Sequence, residues 1–145
     1  MHVPANGVER YRFVAIRNLN SISTLLREAA NVLIHEPNGC FEQTSSSLYP
    51  MIVLSEIDSF SNAKQPILHG LDRLLSFEVE GGGFSWFGKA PAHESLSSLG
   101  LLQFVALRPL LKEWKEWERL EKLENAINRT MTWLASKLGL NGGSL

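Results

Sequence analysis

The chain has one cysteine, Cys40, so no disulfide can form within it and cysteine usage assigns no redox compartment. Neither sign of charge prevails. Against 15 Asp and Glu stand 14 Lys and Arg, a formal net charge of −1 that gives no electrostatic footprint for nucleic acid or acidic lipid. No apolar run reaches the roughly twenty residues that span a bilayer, so membrane insertion is not expected. The opening "MHVPANGVERYR" lacks the basic-then-apolar layout of a secretory signal, which leaves a cytosolic protein or a piece of a longer one. The four histidines, His2, His35, His69 and His93, show no ligand spacing, and neither a metal nor another cofactor is expected.

What is present reads as helix. The 145 residues are 44% hydrophobic and 20% charged, enough for one domain with a real core. Residues 21–34 place Ile22, Leu25, Leu26, Ala29, Val32 and Leu33 at helical spacing before Pro37-Asn38-Gly39 stops the run. A second stripe from Gln43 to about Phe60 runs through Leu48, Met51, Ile52 and Ile57, with Pro50 expected to kink or restart it. Residues 66–79 give a third helix with Pro66 near its start. A fourth, 93–111, carries Leu96, Leu99, Leu102 (or Leu101) and Val105 on one side. The last, 112–138, repeats Trp114, Trp117, Leu120, Leu123, Ile127, Met131, Leu134 and Leu138 every three or four residues. Nothing alternates with period two, so the fold class is all-α.

A repeat accompanies the helices. "LLSFEVEGGGF" (74–84) is echoed by "WLASKLGLNGGS" (133–144) and by "VLIHEPNGCF" (32–41). Each is a helix end, a glycine turn and a new start, the layout of an array or closed ring of αα-hairpins. The final "NGGSL" opens a further unit, so the chain reads as truncated.

Most motif matches fail on their chemistry. "GFSWFGKA" (83–90) spells G-x-x-x-x-G-K, but Ala90 stands where a magnesium-binding Ser or Thr belongs. Phe84, Trp86 and Phe87 fill the space a phosphate would need, so we read a rim loop whose aromatics plug the core. "HESL" has no second histidine four residues after His93, and His93 with Glu94 fits a helix's first turn. Asn128-Arg129-Thr130 matches the N-glycosylation pattern inside a predicted helix. "KEWKEWERLEKLE" has balanced charge and a regular stripe, so it reads as a packed helix rather than a membrane-surface one.

Cys40 admits three roles. A lone cysteine is often a buried, inert thiol. It can be a nucleophile with His35 as the nearest base, although no oxyanion hole or orienting third residue is named by the sequence. The third role uses Gln43, three residues on, whose side chain shares one helix face with Cys40. A helix N-terminus favours thiolate. Its attack on the Gln43 carboxamide, with loss of ammonia, closes an internal thioester, for which Pro37 and Gly39 set the turn and Phe41 is placed to cover the bond.

"Pro37-Asn38-Gly39-Cys40-Phe41-Glu42-Gln43-Thr44" resembles the P-x-G-C-x-E-Q signature of the α2-macroglobulin and complement family. The resemblance runs on through "SSSLYPMIVL", "GGGFSWFG" and "HESLSSLGLLQF", over residues 33–107. It implies a thioester pair of Cys40 and Gln43, with Pro37, Gly39 and Glu42 as supporting motif residues. It implies an α/α toroid of which this chain supplies about half, residues 1–20 matching poorly and 21–145 forming the hairpins. It also implies an extracellular endopeptidase inhibitor that captures a protease once, through a lysine amine, and is therefore not an enzyme. Its partners are then the target protease and the remaining domains of the parent chain.

Two departures accompany the resemblance. Phe41 stands where the best-known animal members have glycine, and His93 does not match the downstream histidine that directs acyl transfer to hydroxyls. Other readings are a complement-like opsonin and a helical interaction module with an inert cysteine. A toroid enzyme such as a terpene cyclase needs Asp-rich motifs, and Asp58 and Asp72 stand far apart.

Overall fold

The computed structural model describes residues 22–57 and 61–139. The expectations for residues 1–20, for Asp58 and for the closing "NGGSL" lie outside them. The described residues are all-α: α1 (Ile22–Leu33), α2 (Phe41–Ile57), a 3-10 turn (Ser61–Ala63), α3 (Lys64–Leu75), α4 (Glu94–Glu113) and α5 (Trp117–Lys137). Among them there is no strand, only an isolated antiparallel bridge between Glu78 and Phe84. The chain divides into two compact units at Leu33, so α1 belongs to the first and the other helices to the second. In α1, Ala30 is buried while Leu25, Val32 and Leu33 are exposed.

In the second unit α2 pairs with α3 and α4 pairs with α5, two αα-hairpins set side by side through α2 and α4. One loop ties both starts. Phe41 N–H donates to Trp86 O at 3.0 Å, His93 N–H to Phe84 O at 2.8 Å, and Phe84 N–H to Ser97 Oγ at 2.8 Å. First-turn donors have no partner inside their own helix. Here the glycine-rich loop takes up one just ahead of α4 and one at the first residue of α2.

The core is built on the phenylalanines this loop brings together. Phe84 lies 5.3 Å from Phe41 and 5.3 Å from Phe104, ring centre to ring centre, and Phe77 stands 6.3 Å from Phe41. Leu48, Met51 and Ile52 of α2, Ile67, Leu71 and Leu74 of α3, and Leu107 and Leu111 of α4 complete it. Only Phe84 of the loop's aromatics plugs the core. Trp86 and Phe87 are exposed, which corrects the expectation for the three together.

Several boundaries differ from expectation for identifiable reasons. Pro50 does not restart the helix, because α2 runs unbroken through it from Phe41 to Ile57. The third helix ends at Leu75 rather than residue 79, because Phe77 and Val79 turn inward and Val79 bonds across the glycine turn to Gly83 O at 2.9 Å. His93 is the residue preceding α4 rather than part of its first turn. The expected stripe of α4 holds at Leu96 and, in its Leu101 alternative, in part, since Leu101 is half-buried against the core. Leu99, Leu102 and Val105 are exposed, and the buried side is Leu96, Ser97, Gly100, Gln103, Phe104 and Leu107. In α5 the buried residues are Leu123, Ala126, Ile127 and Thr130, while Trp117 and Met131 face outward, as does Leu138 just after the helix. Asn128 of the glycosylation pattern is exposed but Thr130 is buried, so the pattern does not share one face. No helix among the described residues is long and apolar enough to cross a membrane.

Candidate functional site

The five motif residues meet at the start of α2. Cys40 precedes the helix, and its carbonyl accepts the first helical bond from Thr44 N–H at 2.9 Å, which makes Cys40 the N-cap. Gln43 is then the third helical residue, and its Oε1 accepts the Cys40 backbone N–H at 3.1 Å. A carboxamide at this position reaching back to the N-cap amide is the return half of a capping box. The Gln43 side chain thus reaches the backbone of Cys40. Cys40 carries a free thiol and is half-buried, while Gln43 is exposed.

The turn before the helix is shaped for this fold-back. Gly39 has φ +84°, and a Cβ there would sit inside contact distance of Gln43 Oε1 and 2.9 Å from Gln43 Cδ. Only glycine combines that backbone conformation with that close approach. Pro37 is buried against α3, where a Cβ on Gly70 would meet Pro37 Cγ at 2.9 Å. Glu42 is exposed at the second helical position, with Trp86 Nε1–H directed at its Oε2 at 3.5 Å. Phe41 points into the core rather than over the pair, fully buried against Phe77 and Phe84. It anchors the turn and does not cover it.

Two residues outside the motif brace it. Arg73 Nε–H donates to Gly39 O at 3.1 Å and is 3.2 Å from Thr44 Oγ1, and its guanidinium also lies over the Phe77 ring. Thr44 Oγ1 in turn donates to Asn38 O at 3.3 Å. Arg73 thus holds the Gly39 carbonyl in place, a role the motif spacing does not announce. An antiparallel hairpin returns the end of α3 to the start of α2, and that return is the signal that would have pointed to it. His35, the candidate base, is exposed ahead of Pro37. Among the described residues no three His, Cys, Asp or Glu side chains converge as a metal site would require.

The arrangement is a capped helix start at which a half-buried thiol and an exposed carboxamide share one turn. Its chemistry is acyl transfer if the two join, and helix capping if they do not. Part of the sequence is 37% identical over 73 residues to the alpha-2-macroglobulin of Thermotoga maritima, a stretch covering 50% of this chain and 5% of that protein. The similarity supports a relationship to the alpha-2-macroglobulin family, from which the chain spans a small part of the curated relative it matches. No family model matches the chain, and no solved structure matches it.

Proposed function

We propose that Cys40 and Gln43 form an internal thioester and that the chain belongs to the thioester-containing domain of an extracellular alpha-2-macroglobulin-like endopeptidase inhibitor. The observation that carries this reading is the Gln43 carboxamide folded back on the Cys40 amide across Gly39. In forming the bond, Cys40 Sγ adds to Gln43 Cδ and ammonia leaves. In using it, a lysine amine of the target protease attacks the same carbon, an amide forms, and the freed sulfur takes up the amine's proton. Each bond is used once, so this is capture and not turnover.

One feature agrees with the family fold. The hairpins α2–α3 and α4–α5 stand side by side with a glycine loop at the shared end, the unit of an α/α toroid. With Gln43 exposed, a long-lived thioester needs cover supplied from elsewhere in the protein.

Intact-mass analysis of the full-length protein from its native compartment tests the reading. The expected mass is lower by one ammonia, and methylamine then adds at Gln43 and releases one titratable thiol at Cys40. A free Cys40 thiol beside an unmodified Gln43 amide before treatment would overturn it. Acceptor assays separate inhibitor from opsonin: capture of proteases by lysine supports the former, and capture of surface hydroxyls the latter.

A further inference from the structure

The peptide group between Gly39 and Cys40 is engaged at both ends. Its carbonyl oxygen accepts from Arg73 Nε–H at 3.1 Å and from Arg73 Nη2–H at 2.5 Å. Its N–H, that of Cys40, donates to Gln43 Oε1 at 3.1 Å. A trans peptide points its C=O and N–H in opposite directions, so the guanidinium stands at one end of this dipole and the carboxamide at the other. The next N–H along, that of Phe41, is taken by Trp86 O at 3.0 Å. Of these two amides beside the thiol, only that of Cys40 meets Gln43.

The guanidinium is held from three directions. Besides Gly39 O it has Thr44 Oγ1 at 3.2 Å and the Phe77 ring, whose centre is 5.5 Å from Arg73 Cζ. Thr44 Oγ1 gives its own proton to Asn38 O, so it meets Arg73 as an acceptor. An arginine does not lose its charge in a protein. A charged donor on a carbonyl polarises the whole peptide, and in a chain of hydrogen bonds the far N–H becomes the stronger donor.

We propose that Cys40 N–H is the oxyanion donor for the chemistry at Gln43, and that Arg73 is the positioning residue that orients and polarises it. The proposal rests on the thioester reading. As Cys40 Sγ forms its bond to Gln43 Cδ, the C=O π pair moves onto Oε1. Negative charge thus develops on the atom that already faces Cys40 N–H. Collapse restores the C=O bond and expels Nε2, which leaves as ammonia with the proton the thiol gives up. A backbone N–H on the nucleophile's own residue is a common donor to such an oxyanion. Opening by methylamine passes through an intermediate that differs from the closing one by a single methyl on nitrogen, so one donor serves both directions.

The rates of closure and opening test this in the full-length protein and in its Arg73→Met and Arg73→Lys variants. Intact mass follows closure as the loss of one ammonia, and thiol release in methylamine follows opening. Arg73→Met should slow both by about tenfold. That is less than the roughly 10²–10³-fold cost of deleting a donor, because the N–H itself remains. Arg73→Lys keeps the charge but not the planar fork, and should slow both by about threefold. It supplies the test if Arg73→Met does not fold. The direction of the opening rate separates this role from a purely structural one. A loosened turn uncovers the bond and speeds opening, whereas a weakened donor slows it. Wild-type rates or faster opening in a folded variant overturn the proposal and leave the thioester reading standing. A wild-type protein that loses no ammonia overturns both.

Discussion

At Gly39 one methyl group decides where the Gln43 carboxamide can lie. The residue's φ of +84° costs an L-side chain about 1–2 kcal/mol. Its absent Cβ also leaves the space that Gln43 Oε1 occupies. Gly39→Ala should therefore lower stability by about that amount and displace the carboxamide from the Cys40 amide. Thermal denaturation measures the first effect, and faster hydrogen exchange at Cys40 N–H measures the second. If the Cys40 amide stays protected in the variant, the fold-back does not depend on this glycine. The spacing of Cys40 and Gln43 is legible in the sequence because a helix start is a local event, written in Pro37, Gly39 and the residues after them. Arg73 is not legible in the same way. Its hold on the Gly39 carbonyl spans 34 positions and exists only once α3 folds back along α2.

Among the elements, the junction of α4 and α5 shows why some boundaries escape a reading of residues. The helix closes with Lys115 N–H donating to Lys112 O at 3.2 Å and Glu116 N–H to Leu111 O at 2.9 Å, a Schellman motif. That motif needs a left-handed residue, usually glycine, and here Lys115 adopts it with φ 58°. With no glycine in "KEWKEWERLEKLE", the sequence reads as the opening of one helix over 112–138, and the break among its first residues goes unseen. Lys115→Gly should raise stability by about 1 kcal/mol, the left-handed penalty less the flexibility glycine adds to the unfolded chain. An increase in the urea midpoint at unchanged slope would bear this out, and a decrease would mean that the Lys115 side chain contributes more than its strain. The exposed face of α4 has a different cause. Apolar residues fall on more than one side of "ESLSSLGLLQFVALRPLL", so periodicity alone does not say which side is buried. Phe41 and Phe84 choose the side carrying Ser97 and Gly100, where small residues leave room for their rings.

For the second unit taken whole, the all-α class and the hairpin order are legible because each helix is long and strongly periodic. How the hairpins join depends on charged groups whose pairing no local pattern reveals. Glu116, between α4 and α5, bonds Lys64 at the start of α3 at 3.2 Å and Arg119 at 2.8 Å, and Arg119 reaches on to Asp72 at 2.9 Å. The hydrogen bond from Lys64, with help from Arg119, holds the Glu116 carboxyl below its ordinary value of 4.5. A carboxylate with a depressed folded-state pKa binds its proton more readily when unfolded. Its contribution is therefore present in full above the unfolded pKa and is lost as pH falls through the folded one. The contribution of Glu116 should be flat from pH 7 to about 5 and then decline on acidification as this link between the hairpins is protonated. The pairs are partly exposed, so Glu116 should account for about 0.5–1 kcal/mol of that decline and less at high salt. Urea denaturation of the wild type and of Glu116→Gln across this range isolates the share. The variant should be less stable at pH 7 and converge on the wild type in acid. A constant gap between the two curves down to acid pH would show that Glu116 acts through packing and not through its charge.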